Sequence, residues 1–228
     1  MLRVLDLFSG IGGFSLGLER TGGFKTVAFC EIEPFCQKVL RKHWPGVPVY
    51  SDVRMLRGYV FNTIDVITGG YPCQPFSLAG KREGEKDDRH LWPKMFKLIQ
   101  ECRPTWVIAE NVAGHVTMGL DQVLSDLESK NYACQAFIIP ACATDAPHRR
   151  DRVWIVADSA QLHSDGRNGE PQSKIPKPRN NCSAARKRVP WAVEPDVGRV
   201  AHGLADRVNR IQVLGNGQVP LCAAVAFQ

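Results

Sequence analysis

Cys73 is the side chain of this sequence best placed to do chemistry. It lies in Gly69-Gly70-Tyr71-Pro72-Cys73-Gln74-Pro75-Phe76-Ser77, directly after the apolar run Ile64-Asp65-Val66-Ile67-Thr68. The run reads as a buried strand, and the glycines, prolines and serine after it force a turn. This spacing puts a thiol on a loop at the carboxyl end of a strand, where open α/β sheets bind their ligands. A thiol held there has the makings of a nucleophile. The bland alternative is a small buried hydrophobe, the commoner use of a free cysteine.

Other chemistry-bearing residues recur at strand ends. Glu110-Asn111-Val112 follows the apolar Thr105-Trp106-Val107-Ile108-Ala109, and so delivers a carboxyl to the top of a strand. His148-Arg149-Arg150-Asp151-Arg152 precedes the last clear strand. Alternation into that strand puts Arg150 and Arg152 on one face, as a guanidinium pair suited to a base, a phosphate or the glutamate. The bland alternatives are a helix cap for Glu110 and a solvated basic run for the arginines. Near the amino terminus, Phe8-Ser9-Gly10-Ile11-Gly12-Gly13 follows the first strand. Glycines there permit a tight turn and close approach of a ligand. Neither the GxGxxG fingerprint nor the Lys-Ser/Thr of a P-loop is present. Glu31 ends the second strand, where an acid can accept both ribose hydroxyls of a nucleoside. Asp52 ends the third, in reach of an adenine amino group. Each acid alone is more often a cap; together with the glycine loop they outline an adenosine-type site.

These residues need a sheet to hold them. Strand-like segments at 4–8, 26–30, 47–50, 64–68, 106–109, 133–139 and 153–157 alternate with helix-like ones at 14–20, 33–43, 91–101 and 120–130. Such alternation argues for an α/β fold, a mainly parallel, doubly wound sheet with helices on both faces. With 228 residues, 44% hydrophobic, the chain can bury one full core. Residues 158–190 lose apolar periodicity and become basic through Ser173-Lys174-Ile175-Pro176-Lys177-Pro178-Arg179 and Arg186-Lys187-Arg188. That composition suits a solvated linker, or an arm contacting phosphates. A net charge of +6 agrees with a polyanionic partner. No apolar run reaches about 18 residues, so no membrane span is expected. No signal peptide is read at the start. Eight cysteines without a CxxC pair fit a reducing cytoplasm better than a zinc ribbon or a disulfide framework.

In this order, the motifs resemble those of the DNA (cytosine-5)-methyltransferases. They run from Asp6-Leu7-Phe8-Ser9-Gly10-Ile11-Gly12-Gly13-Phe14 through Glu31, Asp52, Gly70-Tyr71-Pro72-Cys73-Gln74-Pro75-Phe76-Ser77 and Glu110-Asn111-Val112. Arg149-Arg150-Asp151-Arg152-Val153 and Leu214-Gly215-Asn216-Gly217-Gln218-Val219-Pro220 complete the series. The resemblance covers residues 2–157 and roughly 196–228. It implies a Rossmann-like fold that uses S-adenosyl-L-methionine and releases S-adenosyl-L-homocysteine. It also implies catalytic roles for Cys73, Glu110, Arg150 and Arg152. The cofactor would lie across Phe8, Gly10, Ile11, Gly13, Glu31, Ile32, Asp52, Val53, Pro72 and Asn216. Gln74, Ser77 and Arg149 would meet DNA, and residues 77–88 would close over a flipped base. No metal is implied. Duplex DNA is the expected partner, with a cognate restriction endonuclease as a further one, and a cytoplasmic monomer is expected.

The chain departs from the family between the arginine strand and the last motifs, where a large target-recognition lobe is usual. Here residues 158–195 form a shortened basic region between catalytic segments 1–157 and 196–228. Base readout needs several rigidly held side chains, whereas a basic arm supplies mainly phosphate affinity. A minimal, phage- or prophage-derived enzyme of relaxed specificity is expected. A weakly active deletion product, a tRNA cytosine-5-methyltransferase and a non-catalytic binding protein remain as alternatives. Gln74-Pro75-Phe76-Ser77 favours DNA over tRNA. A nicotinamide oxidoreductase is disfavoured by the missing GxGxxG.

Overall fold

Side chains alternate between the two faces of a strand, yet Val4, Leu5, Asp6 and Leu7 are all buried. Both faces of that strand must therefore be covered, as in a doubly wound sheet. The computed structural model describes residues 1–72, 91–144, 146, 148–159 and 217–226. Cys73, Gln74, Ser77 and Asn216 lie outside the described residues, as does the shortened region from residue 160 to 195.

The elements run β1 (Leu2–Leu7), α1 (Gly13–Glu19), β2 (Phe24–Cys30), α2 (Pro34–His43), β3 (Val49–Tyr50) and β4 (Val66–Gly69). They continue with α3 (Trp92–Cys102), β5 (Trp106–Val112), α4 (His115–Met118), α5 (Leu120–Glu128), β6 (Ala133–Pro140) and β7 (Asp151–Asp158). Helix α6 (Pro220–Ala226) follows near the carboxyl terminus. The seven strands form one sheet in the order β3-β2-β1-β4-β5-β7-β6. Its first five strands are mutually parallel. Strand β7 runs antiparallel to both β5 and β6.

One face packs Leu5, Leu7, Ile67, Val107 and Ile155 against Met95 and Leu98 of α3 and Val123 and Leu127 of α5. The other packs Val4, Val66, Ile108 and Trp154 against Phe14 and Leu18 of α1 and Cys222 and Ala223 of α6. Helix α6 therefore completes a layer against the sheet. It sits so close to α1 that a Cβ on Gly17 would strike the Pro220 carbonyl.

Two features differ from the sequence reading. Strand β5 extends to Val112, so Glu110 and Asn111 lie within it rather than after it; its pairing with β7 continues through Glu110↔Trp154 to Val112↔Arg152. Arg150, by contrast, lies outside β7. It has φ of 39°, in the left-handed region, where a non-glycine residue is uncommon. The strand thus starts one residue after the first arginine of the pair, at Asp151.

Candidate functional site

The carboxyl ends of β1, β2 and β4 all lie along one edge of the sheet, because these strands are parallel. Antiparallel pairing then brings the start of β7 to the same edge, beside the end of β5. Period-two alternation puts Asp6, Thr68, Glu110 and Arg152 on the face covered by α1 and α6.

The turn after β1 separates its glycines by task. A Cβ on Gly12 would come within 2.5 Å of the Trp44 ring, and one on Gly13 within 2.6 Å of the Gln218 carbonyl oxygen. Both are required by packing. A Cβ on Gly10 would meet nothing within 4 Å, so this part of the loop faces open space. Phe8 and Gly10 both have φ of 53°. The loop is pinned by Glu31: Gly10 N–H donates to Oε2 at 2.7 Å and Glu33 N–H to Oε1 at 2.8 Å. Each carboxylate oxygen keeps a lone pair for a further donor. Ile32 next to it is 65% exposed, while Val53 is buried. Asp52 lies just beyond β3 and is gripped by Arg54 at 2.8 Å. That hydrogen-bonded partner holds its carboxyl below the usual range.

Beneath the loop, Asp6 is fully buried. Ser15 Oγ donates to its Oδ2 and Thr68 Oγ1 to its Oδ1, each at 2.8 Å. Asp6 thereby ties helix α1 to β4, the strand that leads to Cys73. Burial pushes its carboxyl up to about 7, against the opposing pull of these hydrogen bonds. The unfolded chain releases that proton near pH 3.9. The folded protein thus holds an extra proton between the two values, so stability falls as pH rises from about 4 to about 7. The Asp6→Asn variant has no proton to lose. The difference in unfolding free energy between wild type and this variant should shift by roughly 3 kcal/mol across that window. Chemical denaturation at a series of pH values measures it. A flat difference would show that Asp6 titrates as an ordinary surface acid.

Glu110 is the second buried acid at this edge. Arg152 Nε lies 3.0 Å from its Oε1. Burial raises its proton affinity, and the charges of Arg152 and Arg150 partly restore it. Arg150 Nη2 donates to the Gly217 carbonyl at 2.8 Å, which fastens the C-terminal segment to the site. Arg149 is exposed and pairs with Asp151 at 3.1 Å. A Cβ on Gly70 would strike the Gln218 side-chain amide and approach Glu110 Oε2 within 3.2 Å. Gly70, Gln218 and Glu110 therefore converge at one point, two residues before Pro72. A cleft of about 450 Å³ opens beside it, between residues 11–13 and 217–220, with His148 and Arg150 in its wall.

The structure thus assembles Phe8, Gly10, Ile11, Gly13, Glu31, Ile32, Asp52, Val53, Pro72, Glu110, Arg150 and Arg152 along one sheet edge. Gln218 and Asp6 belong to this arrangement and were not expected there. Their partners are distant in sequence, and only their position inside the quoted motifs hinted at a role. Among the described thiols, burial pushes Cys30 and Cys36 up to about 12 and Cys102 and Cys134 up to about 11. Those four remain protonated at neutral pH.

The strand order, with antiparallel β7 inserted beside β5, and the acids at successive strand ends define a Rossmann-like methyltransferase fold. The DNMT2 of Spodoptera frugiperda shares this fold with a TM-score of 0.63 at 23% identity, over 75% of this chain and 54% of that one. The model of the C-5 cytosine-specific DNA methylase family matches residues 2–212, and the chain belongs to this family. It is 36% identical to the type II methyltransferase M2.BsuMI of Bacillus subtilis over 168 residues, 68% of this chain and 42% of that protein. It is 35% identical to the type II methyltransferase M.NgoMIV of Neisseria gonorrhoeae, over 76% of this chain and 57% of that protein. The chain therefore spans about half the length of these curated relatives. A candidate DNA modification methyltransferase encoded within an E. coli prophage gives a TM-score of 0.60 at 29% identity, over 72% of this chain and 48% of that one.

Proposed function

We propose that this chain transfers a methyl group from S-adenosyl-L-methionine to C5 of cytosine in DNA, through a covalent bond between Cys73 and C6 of a flipped-out base. The observation that carries the proposal is Glu110: a buried carboxyl paired with Arg152, beside the backbone that leads into Pro72-Cys73. The open space over Gly10, the spare lone pairs of Glu31 and the exposed apolar Ile32 fit an adenosine-bearing cofactor. Phe8, Gly10, Ile11, Gly13, Glu31, Ile32, Asp52, Val53, Pro72 and Asn216 would hold it. When bound, it supplies an electrophilic methyl group.

Cytosine C5 is a weak nucleophile. Addition of the Cys73 thiolate to C6 forms the S–C6 bond and moves the C5–C6 π pair onto C5. Glu110, whose proton affinity is raised by burial, donates a proton to N3 as that charge develops. Arg152 and Arg150 orient Glu110 and the base, and their charge favours the thiolate. After methylation, the C5 proton passes to water, the C5–H pair re-forms the C5–C6 double bond, and the C6–S bond breaks to release Cys73 as thiolate. N3 returns its proton to Glu110. The ring faces are closed within a duplex, so the base must leave the stack. Gln74, Ser77 and Arg149 would contact the DNA around it.

The setting proposed is a cytoplasmic type II restriction–modification system or a prophage, with a cognate endonuclease as partner. Among the described residues, no helix is long and apolar enough to cross a membrane. The proposed organisation is a catalytic domain of residues 1–157 and 196–228 with a short basic insert at 158–195. Labelled S-adenosyl-L-methionine, offered with duplex DNA or tRNA over a salt series, tests the substrate. Label should enter duplex cytosine, and affinity should fall steeply with salt to the same degree for all sequences. A single preferred motif with a flat salt response would contradict relaxed specificity, and label in tRNA alone would replace the substrate.

A further inference from the structure

We infer that Tyr71 and His115 form a clamp that sets the nucleophile-bearing loop against Glu110; this deepens the function proposed above and rests on it. Tyr71 stands two residues before Cys73 and is only 4% exposed, and His115 is 7% exposed. The Tyr71 hydroxyl lies 2.7 Å from His115 Nε2. Its backbone carbonyl accepts from Asn111 Nδ2 at 3.1 Å. Asn111 directly follows Glu110 on β5, and His115 opens α4 just beyond. Both ends of Tyr71 are thus fixed by the segment that carries Glu110.

The neighbours fit this role. The Tyr71 ring packs against Trp92 at 5.1 Å and His115 at 5.5 Å. Trp92 is itself held by Asp126, which accepts from Nε1 at 2.7 Å. Gly119 leaves room for the imidazole, since a Cβ there would come within 3.1 Å of Cε1. Packing alone needs only a phenyl ring at position 71. The hydroxyl adds a buried, directional bond whose net contribution to stability is modest. Its effect is to fix one loop relative to another. Attack at C6 requires the sulfur to be placed to a fraction of an ångström relative to the base that Glu110 holds, and small misplacements cost rate steeply. Tyr71 and His115 are accordingly positioning residues: they act through Cys73 and Glu110 and touch no reacting atom.

Tyr71→Phe keeps the ring and removes the hydroxyl that bonds His115. In the full chain, kcat should fall about 10- to 50-fold, with the KM for DNA, the S-adenosyl-L-methionine Kd and Tm nearly unchanged. His115→Leu should lose a similar factor in kcat, and the double variant should be no worse than either single one. His115→Gln, which keeps a hydrogen-bonding group, should recover most of the rate. A kcat within twofold of wild type in Tyr71→Phe, or losses that multiply in the double variant, would overturn the clamp. Iodoacetamide alkylation of Cys73, followed by peptide mass spectrometry, tests it without methyl transfer. The Tyr71→Phe rate should differ from wild type at least about threefold, and an equal rate would overturn the clamp. A wild-type chain that transfers no methyl group would instead count against the proposed function.

Discussion

Cys73→Ala is expected to abolish methyl transfer, lowering the rate by at least about 10⁴-fold. The size follows from the role. Without the C6 adduct, C5 has no electron pair to offer, and no neighbouring step compensates. Substitute nucleophiles are lacking among the four described cysteines whose burial keeps them protonated at neutral pH. The cofactor should still bind, because Gly10, Glu31, Ile32 and Val53 belong to other loops. Tritium transfer into duplex DNA measures the first quantity and isothermal titration the second. Residual transfer above about 1% of wild type would mean that the reaction proceeds without the adduct.

Glu110→Gln is expected to lower kcat by about 10²- to 10⁴-fold, the usual span for loss of a positioned proton donor. The carboxamide can still accept from Arg152 Nε, so the fold should persist. The pH profile distinguishes loss of the proton from loss of shape. Wild-type activity should rise as Cys73 ionises and fall as Glu110 releases its proton. Burial has raised Glu110 above its ordinary value, which moves that fall to higher pH. The variant should lack the descending limb. Arg152→Leu makes the converse test. It leaves a buried carboxylate without its cation, which costs about 3–5 kcal/mol, and shifts the limb further upward. A Glu110→Gln variant with wild-type kcat and an unaltered profile would remove Glu110 from the chemistry.

Apolar runs bounded by turn residues made most of the sheet and its loaded edge legible in the sequence. The runs ending at Asp6-Leu7, Cys30 and Thr68 show where glycine or an acid takes over from a strand. Strand direction was not legible, because an apolar run has the same period either way. The antiparallel course of β7, which brings Arg152 to Glu110, therefore emerges only from pairing. Arg150 illustrates a second limit. Alternation placed it in the strand with Arg152, but its left-handed φ and its bond to Gly217 depend on a segment 67 residues away. Asp6 and the Tyr71–His115 pair carry no local signature either, since each depends on partners from separate elements. The glycines of the first loop looked alike in sequence. Their neighbours separate Gly10, which faces open space, from Gly12 and Gly13, which make room for Trp44 and Gln218.

The most direct test of the account is covalent trapping on a duplex containing 5-fluorocytosine. Fluorine at C5 blocks the final proton loss, so a working enzyme remains bonded to the base. The account predicts a denaturation-resistant protein–DNA complex that forms only with S-adenosyl-L-methionine, with the base attached to Cys73 in peptide mass spectrometry. Wild-type protein that binds both DNA and cofactor yet forms no adduct, or an adduct on another residue, would contradict it.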